Sequence, residues 1–467
     1  MSEEQQVKVE GQSVAQRNLD AKTVICVDPP AALLDRPVRI VVSGLAGAGK
    51  VRIRSSFRDE DGVEWAGEGV FEAPVGGVLA LDEAPAFSGT YEGADPMGLF
   101  WSMRPVVDGR IVTHADFQTL MVDAETPFLK LGRPNLQSLE PVDIELECFV
   151  DDVRMAEAFF KQAHMSTDVS VSSLLDQGIA AKVYSPASNP RAGVITITGS
   201  NGGYEAVHAP LLASHGFLAM SLAIFGAPGA PAHMHDLPIE MMARAFDWMA
   251  DALGGRRVGV IGWSKGAESA LVAASYLPDK VAAAVACVPC HYVMSGNDGD
   301  DNYDLPGWTL GGRALPYHLM TTPSDIEKLL KAADENPDIP IVLRTPFEEG
   351  YKTRLKDEAL IPVERARCPL MFVSGGDDQN WPSTYSSAFL VDRLKRADYA
   401  EPVVHLDYPD AGHLISAANM NKSASDAIVH LVNKRFILCG GTPAANAKAS
   451  RESWRRIVDF FNDHLVR

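Results

Sequence analysis

Apolar and polar positions alternate in two different rhythms along this chain. In Val51–Arg58, positions Val51, Ile53, Ser55 and Phe57 fall on one side and Arg52, Arg54, Ser56 and Arg58 on the other. That period of two predicts a half-buried antiparallel strand. Asp61-Gly62 stands just before Val63-Glu64-Trp65, a pairing that signals a hairpin turn. Pro37–Ser43, Val78–Leu81, Gly98–Met103 and Val142–Phe149 read as further strands, and no helical period interrupts them. Short strands punctuated by turn residues predict a β-sandwich over residues 23–150.

From residue 151 the rhythm changes. Ala180–Tyr184, Val194–Thr198, Phe217–Leu222, Val258–Gly262 and Val281–Val288 are short apolar runs. Between them, Tyr204–His215, Ile239–Leu253 and residues 265–276 are helix-like. Strands that alternate with helices predict a mostly parallel sheet covered on both faces. Pro369–Ser374 and Pro402–Leu406 add two strands, and Trp454, Ile457, Val458, Phe461 and Leu465 form the stripe of a closing amphipathic helix. Residues 151–467 therefore read as one α/β domain, with 291–365 as an insertion near the ligand. Residues 1–22 read as a polar tail.

Composition narrows the class. The chain has 467 residues, 46% of them hydrophobic and 22% charged, which excludes wholesale disorder, a collagen-like repeat and a coiled coil. The formal charge of −19 argues against a nucleic-acid partner, since phosphate contacts need a basic surface. A polyanionic substrate would need a local basic pocket. Cys26, Cys148, Cys287, Cys290, Cys368 and Cys439 are too sparse for a disulfide scaffold. Met1–Glu10 has no apolar core, and no apolar run reaches the roughly 18 residues of a membrane span. The expectation is a soluble cytoplasmic protein without a membrane span, a monomer or small homo-oligomer. The terminus His464-Leu465-Val466-Arg467 matches neither a peroxisomal nor an ER address.

The most informative motif is Gly262-Trp263-Ser264-Lys265-Gly266. It follows the apolar strand Val258–Ile261 and precedes the helical run Ala267–Tyr276, the context of a nucleophile elbow. A serine hydroxyl is a weak nucleophile and needs an imidazole to take its proton and a carboxylate to orient the imidazole. In α/β-hydrolases the order is Ser, acid, His. The strand Pro369–Ser374 runs into Gly375-Gly376-Asp377-Asp378, and the next strand into Tyr408-Pro409-Asp410-Ala411-Gly412-His413. Singly, these also read as a capping Asp pair and a loop histidine; together, in order and each at a strand end, they read as chemistry. An oxyanion hole would use the N–H of Lys265 and the loop Thr198-Gly199-Ser200-Asn201-Gly202-Gly203, with Ser200, Asn201 and Gly202 as candidates. An ordinary strand-to-helix turn would need the same glycines.

Asp59-Glu60-Asp61-Gly62, the run Asp95-Pro96-Met97-Gly98-Leu99-Phe100-Trp101-Ser102-Met103, the Gly-Trp-Ser-Lys-Gly elbow and Asp377-Asp378-Gln379-Asn380-Trp381 resemble the type I acyl-CoA thioesterase / bile acid-CoA:amino acid N-acyltransferase family. The match runs through most of residues 25–467, poorly over 151–178. The resemblance implies an N-terminal immunoglobulin-like β-sandwich and a C-terminal α/β-hydrolase domain. It implies Ser264 as nucleophile, His413 as base and Asp378, the second of the Asp pair, as orienting acid. The acyltransferase branch typically carries cysteine at the nucleophile position, so serine here favours hydrolysis. The expected substrate is an acyl-CoA, with no cofactor and no metal. Acyl transfer to an amino acid, a carboxylester or dienelactone-type hydrolase, and a non-catalytic binding protein are the alternatives.

Three signals point elsewhere and are set aside. Gly44-Leu45-Ala46-Gly47-Ala48-Gly49-Lys50 looks like a phosphate-binding loop, but Val51 replaces the required Ser or Thr and a strand follows; it reads as a hairpin loop. Cys287-Val288-Pro289-Cys290-His291 has the spacing of a haem attachment or redox motif but reads as two partly buried cysteines at a strand end. His208, His215, His233 and His235 read as helix or loop histidines, with His233 and His235 on a possible pocket rim over 226–238.

Overall fold

In the first unit, residue alternation is converted directly into sheet. A computed structural model describes residues 22–117, 139–299, 302–336, 340–415, 418–423, 425–429 and 436–466; all but Lys22 of the expected polar tail lies outside them. Val51 and Ile53 are buried while Arg52 and Arg54 are half-exposed, as the period of two requires. The hairpin at Asp61-Gly62 pairs Arg58 with Glu64, and Gly62 takes φ 79°. Val24–Asp28, Arg39–Ser43 and Val78–Ala80 make a three-stranded sheet. A larger sheet runs Ala31–Leu33, Val153–Ala163, Val142–Val150, Lys50–Arg58, Glu64–Glu72, Arg104–Val107, Arg110–Ile111. Only Ala31–Leu33 pairs parallel among the described strands of these sheets. Val24–Asp28 lies against Val153–Ala163 of the other sheet, giving an immunoglobulin-like β-sandwich with Val42, Ile53, Leu146 and Phe160 in its core.

Three expectations are corrected here. Gly98–Met103 is not a strand: Gly98–Trp101 is a single helical turn. Asp95 starts it, its carboxylate accepting from Met97 N–H (2.9 Å) and Trp101 Nε1 (3.1 Å), a local pairing that competes with extended backbone. The Gly44–Lys50 loop is not a hairpin, because Arg39–Ser43 and Lys50–Arg58 belong to different sheets. The first unit also runs on to Ala163, past the boundary expected at residue 150. Asp151 and Asp152 reverse the chain at φ 51° and 63°, values that short polar side chains tolerate, and Val153–Ala163 pairs back on Val142–Val150. The chain returns to this unit at Asn419, whose Nδ2 donates to Leu34 O at 2.9 Å.

Among the described residues, the main sheet of the second unit has eight strands: β1 (Val169–Ser173), β2 (Ala181–Pro186), β3 (Gly193–Ile197), β4 (Leu218–Leu222), β5 (Val258–Trp263), β6 (Ala283–Cys287), β7 (Leu370–Gly375) and β8 (Val403–Tyr408). Their order is β1-β2-β4-β3-β5-β6-β7-β8. Strand β2 is antiparallel to both neighbours, and from β4 to β8 every pairing is parallel. This is the α/β-hydrolase arrangement. Its helices are α1 (His208–Ser214), α2 (Ile239–Ala252), α3 (Lys265–Tyr276), α4 (Pro323–Glu335), α5 (Arg344–Thr353), α6 (Ser383–Arg396) and α7 (Pro443–Leu465).

Ile195, Ile197, Val260 and Phe372 from the sheet pack with Ala267, Ala270, Ala273 and Ala274 of α3 in the core. The alanines let α3 lie close over the strands. Helix α7 buries Trp454, Ile457, Phe461 and Leu465, the expected stripe, with Val458 half-buried. Gly259 on β5 leaves the room: a Cβ there would stand 2.9 Å from both Phe461 and Leu465. The described residues of 291–365 belong to this unit, with Tyr292, Met294 and Trp308 buried. Phe372→Ala should cost about 3–5 kcal/mol through the cavity it opens. A urea midpoint unchanged from that of the unmodified protein would contradict this packing.

Candidate active site

Ser264 stands at the N-cap of α3 with φ 58° and ψ −120°, a left-handed conformation costing a non-glycine residue about 1–3 kcal/mol. Its neighbours explain why the turn holds. A Cβ on Gly262 would lie 1.9 Å from Gly266 O, and one on Gly266 would lie 2.4 Å from both Ile197 O and Thr198 O. Those contacts are to backbone, which cannot rotate away. The Ser264 N–H is fixed by Cys287 O at 3.0 Å. The side chain is left half-buried at the carboxyl end of β5.

The structure brings Ser264, His413 and Asp378 together. Ser264 Oγ lies 3.0 Å from His413 Nε2, and His413 Nδ1 lies 2.9 Å from Asp378 Oδ2. Asp378 is fully buried, and its Oδ1 accepts the N–H groups of Asn380 (3.0 Å) and Trp381 (3.2 Å). A carboxylate accepts only, so Nδ1 carries the ring proton and Nε2 is free to accept from the serine hydroxyl. Asp377 is exposed and turns elsewhere, accepting from Gln379 Nε2 (2.6 Å) and Gly441 N–H (2.8 Å). The two aspartates are therefore distinguished by where they point.

Glycines also set the loops that carry Asp378 and His413. A Cβ on Gly375 would lie 2.4 Å from Gly412 O, one on Gly412 2.0 Å from Gly440 O, and one on Gly440 1.8 Å from Asp377 O. Three backbone segments thus pack directly on one another. His413 N–H donates to Cys439 O and Gly412 N–H to Asn446 Oδ1, each at 2.8 Å. Arg344 Nη1 donates to Gly376 O and Asp378 O, each at 3.1 Å.

The Trp381 ring meets His413 at 4.6 Å and 82°, and its Nε1 donates to Val288 O at 3.1 Å. Val288 presents that carbonyl from φ 49°, an outlier for a β-branched residue. Trp381 carried a signal in the Asp-Asp-Gln-Asn-Trp run; Arg344, Asn446 and Val288 carried none.

The loop after β3 lies against Ser264, since a Cβ on Gly199 would be 3.3 Å from Ser264 Cβ. Gly202, an expected donor, gives its N–H to Gly199 O at 3.2 Å, and Gly203 gives its own to Phe225 O at 2.9 Å. The N–H groups of Ser200 and Asn201 meet no acceptor among the described residues. The Lys265 N–H opens α3 and is an orphan of the helix start. Its side chain is buried, with Nζ 2.6 Å from Glu268 Oε2. Glu268 Oε1 accepts from Met294 N–H (3.0 Å) and Trp308 Nε1 (3.1 Å). Burial pushes the Glu268 carboxyl above its usual range, against the pull of Lys265.

Residues 35–174 match the model of the acyl-CoA thioester hydrolase/BAAT N-terminal region, and residues 237–467 match the BAAT/acyl-CoA thioester hydrolase C-terminal model. Human acyl-coenzyme A thioesterase 6 is 30% identical over 455 residues, 95% of this chain and 97% of that one. The chain belongs to the acyl-CoA thioester hydrolase/BAAT family. Human mitochondrial acyl-coenzyme A thioesterase 2 is 28% identical, across 95% of this chain and 85% of that one. The mouse peroxisomal succinyl-coenzyme A thioesterase is also 28% identical, across 92% of this chain and 94% of that one.

In this family member the Cys287 to His291 run is part of the core. Both cysteines are free and buried, and burial pushes both thiols up. His291 Nδ1 meets Ser386 Oγ at 3.0 Å. Among the described residues, no group of three or more His, Cys, Asp or Glu could hold a metal, and no helix is long and apolar enough to cross a membrane.

Asp378→Asn should lower turnover about 10⁴-fold by favouring the wrong imidazole tautomer, whereas Asp377→Asn should change it less than about 5-fold, because its contacts are to loop donors. Steady-state rates of the two variants decide, and a worse Asp377 variant would reverse the assignment. Burial holds His291 down to about 3 and His318 down to about 4, from 6.5. The unfolded chain then binds more protons below about pH 6.5, so stability falls as pH drops from there toward about 4. Melting temperatures between pH 7.5 and 5 should show that slope, and His291→Phe/His318→Phe should flatten it.

Proposed function

We propose that the chain hydrolyses fatty acyl-CoA to free fatty acid and coenzyme A. The observation that carries this reading is the continuous Ser264–His413–Asp378 line, with spacings of 3.0 and 2.9 Å, in a chain of this family. Ser264 Oγ attacks the thioester carbonyl as its proton passes to His413 Nε2. Asp378 holds the imidazolium. The developing oxyanion is met by the N–H groups of Lys265 and of the Ser200-Asn201 turn. Collapse breaks the C–S bond, and His413 returns the proton to the leaving thiol of coenzyme A. Water then attacks the acyl-serine with His413 as base. The second collapse releases the acid and reprotonates Ser264. Neither cofactor nor metal enters these steps. A cytoplasmic location belongs to the same proposal.

A free-thiol release assay across acyl chain lengths, with and without labelled glycine or taurine, tests the reading. Hydrolysis predicts one free acid per thiol released, unchanged by the amino acid; abundant N-acyl product would move the function to transfer. Ser264→Ala should lower thiol release by at least about 10³-fold in a protein whose circular dichroism is unaltered. Full release by that variant would overturn the mechanism.

A further inference from the structure

Between the Gly199–Gly203 turn and α1 lies a second carboxylate–imidazole pair that the mechanism above does not use. Glu205 is buried and saturated. Its Oε1 accepts from Val207 N–H and from His208 Nδ1, each at 2.9 Å, and its Oε2 accepts from His208 N–H (2.8 Å) and Ala209 N–H (3.0 Å). The His208 ring lies flat on the indole of Trp263, with centroids 3.7 Å apart and planes at 21°, and Trp454 stands at 5.1 Å and 52°. Trp263 is the residue immediately before Ser264.

The segment carrying Ser200 and Asn201 is therefore tied to the elbow at both ends. At its start, Thr198 O sits where a Cβ on Gly266 would come within 2.4 Å. At its end, the imidazole stacks on Trp263. Between these ties the chain holds Gly199, Gly202 and Gly203, the last two at φ 61° and 73°, permissive positions held by the Gly202 N–H to Gly199 O and Gly203 N–H to Phe225 O bonds, neither of which reaches the elbow. The pair is unsuited to proton transfer. Nδ1 is engaged by Glu205, and Nε2 is buried with no hydrogen-bond partner among the described residues.

We infer that Glu205 and His208 are positioning residues, which clasp the Ser200-Asn201 N–H groups at a fixed distance from Ser264 by seating the imidazole on Trp263. Glu205 sets the ring plane through Nδ1–H, and Trp263 transmits the position to the nucleophile. This inference rests on the roles proposed above for Ser264 and the loop. It predicts that the clasp acts on the transition state, where charge forms at the oxyanion, and little on the bound substrate.

The test is the second-order rate of Ser264 phosphonylation by a fluorophosphonate probe, measured beside kcat and KM for acyl-CoA. Phosphonylation builds negative oxygen in the same hole and needs no thioester. His208→Ala should lower both kcat and the labelling rate about 10–100-fold, the effect of a displacement of about 1 Å, with KM changed less than about 3-fold. His208→Phe keeps a flat ring and should recover most of that loss. Glu205→Gln should fall between them.

Labelling and kcat within 2-fold of the unmodified protein in a folded His208→Ala would overturn the clasp. So would a His208→Phe variant that recovers nothing. Should His208→Ala fail to fold, Glu205→Gln decides: full labelling by that folded variant overturns the inference, and a loss in labelling at constant KM supports it. An unmodified protein that labels at Ser264 but releases no coenzyme A would instead overturn the thioester reading, with the labelling series still deciding the clasp. Absence of labelling at Ser264 would overturn both.

Discussion

Contact of backbone on backbone, at positions where only glycine leaves room, is the constraint from which the site follows. Gly262 and Gly266 let β5, α3 and the end of β3 meet without side chains between them. That approach forces Ser264 into its left-handed conformation. Gly375, Gly412 and Gly440 do the same for the loops that carry Asp378 and His413. A methyl group at any of these places would separate segments by an ångström or more, and triad hydrogen bonds of about 3 Å do not survive such a shift. The distances among Ser264, His413 and Asp378 are thus a property of main-chain packing as much as of the three side chains.

Polar groups in so dry a place must be matched, and three buried carboxylates show different solutions. Asp378 accepts two backbone N–H groups and faces an imidazole. Glu205 accepts three backbone N–H groups and an imidazole. Glu268 meets an ammonium, an indole and one backbone N–H. Each ties a loop to the elbow region: the acid loop, the loop after β3, and the segment from Met294 to Trp308. Removing any one carboxylate would strand its buried donors, which costs more than the net worth of the bonds.

Much of this was legible in the residues. The α/β rhythm marked the parallel strands because buried strands are continuous apolar runs. The elbow, the Asp pair and His413 stood out because each follows such a run. The first domain's edge was not legible: Val153–Ala163 exposes Val153, Met155 and Phe159, so its pattern does not announce a buried face. Gly98–Trp101 was misread because Asp95, not a periodicity, makes that turn. In the loop after β3, glycine content alone could not tell Gly202, whose N–H is already engaged, from Ser200 and Asn201. The contributions of Arg344, Asn446 and His208 depend on contacts between segments distant in the chain or on a stacked ring, and no local pattern encodes these.

The serine's strain and the orphan N–H groups have one cause. A strand that ends and a helix that begins within a single residue leave the first N–H groups of that helix without internal acceptors. The same sharp turn holds the serine's backbone at φ 58°. The N–H of Lys265 is thereby left beside the hydroxyl that its neighbour exposes, and under the proposed mechanism the fold supplies an anion site where the attack would generate an anion. The side chain of Lys265 takes no part in that. Its ammonium is turned inward to Glu268, so the positive potential at the elbow comes from main-chain dipoles, whose direction is locked by α3. Every residue type except proline carries a backbone N–H, so that donor does not require a lysine. What the lysine adds is the ion pair that anchors α3 through Glu268 to Met294 and Trp308.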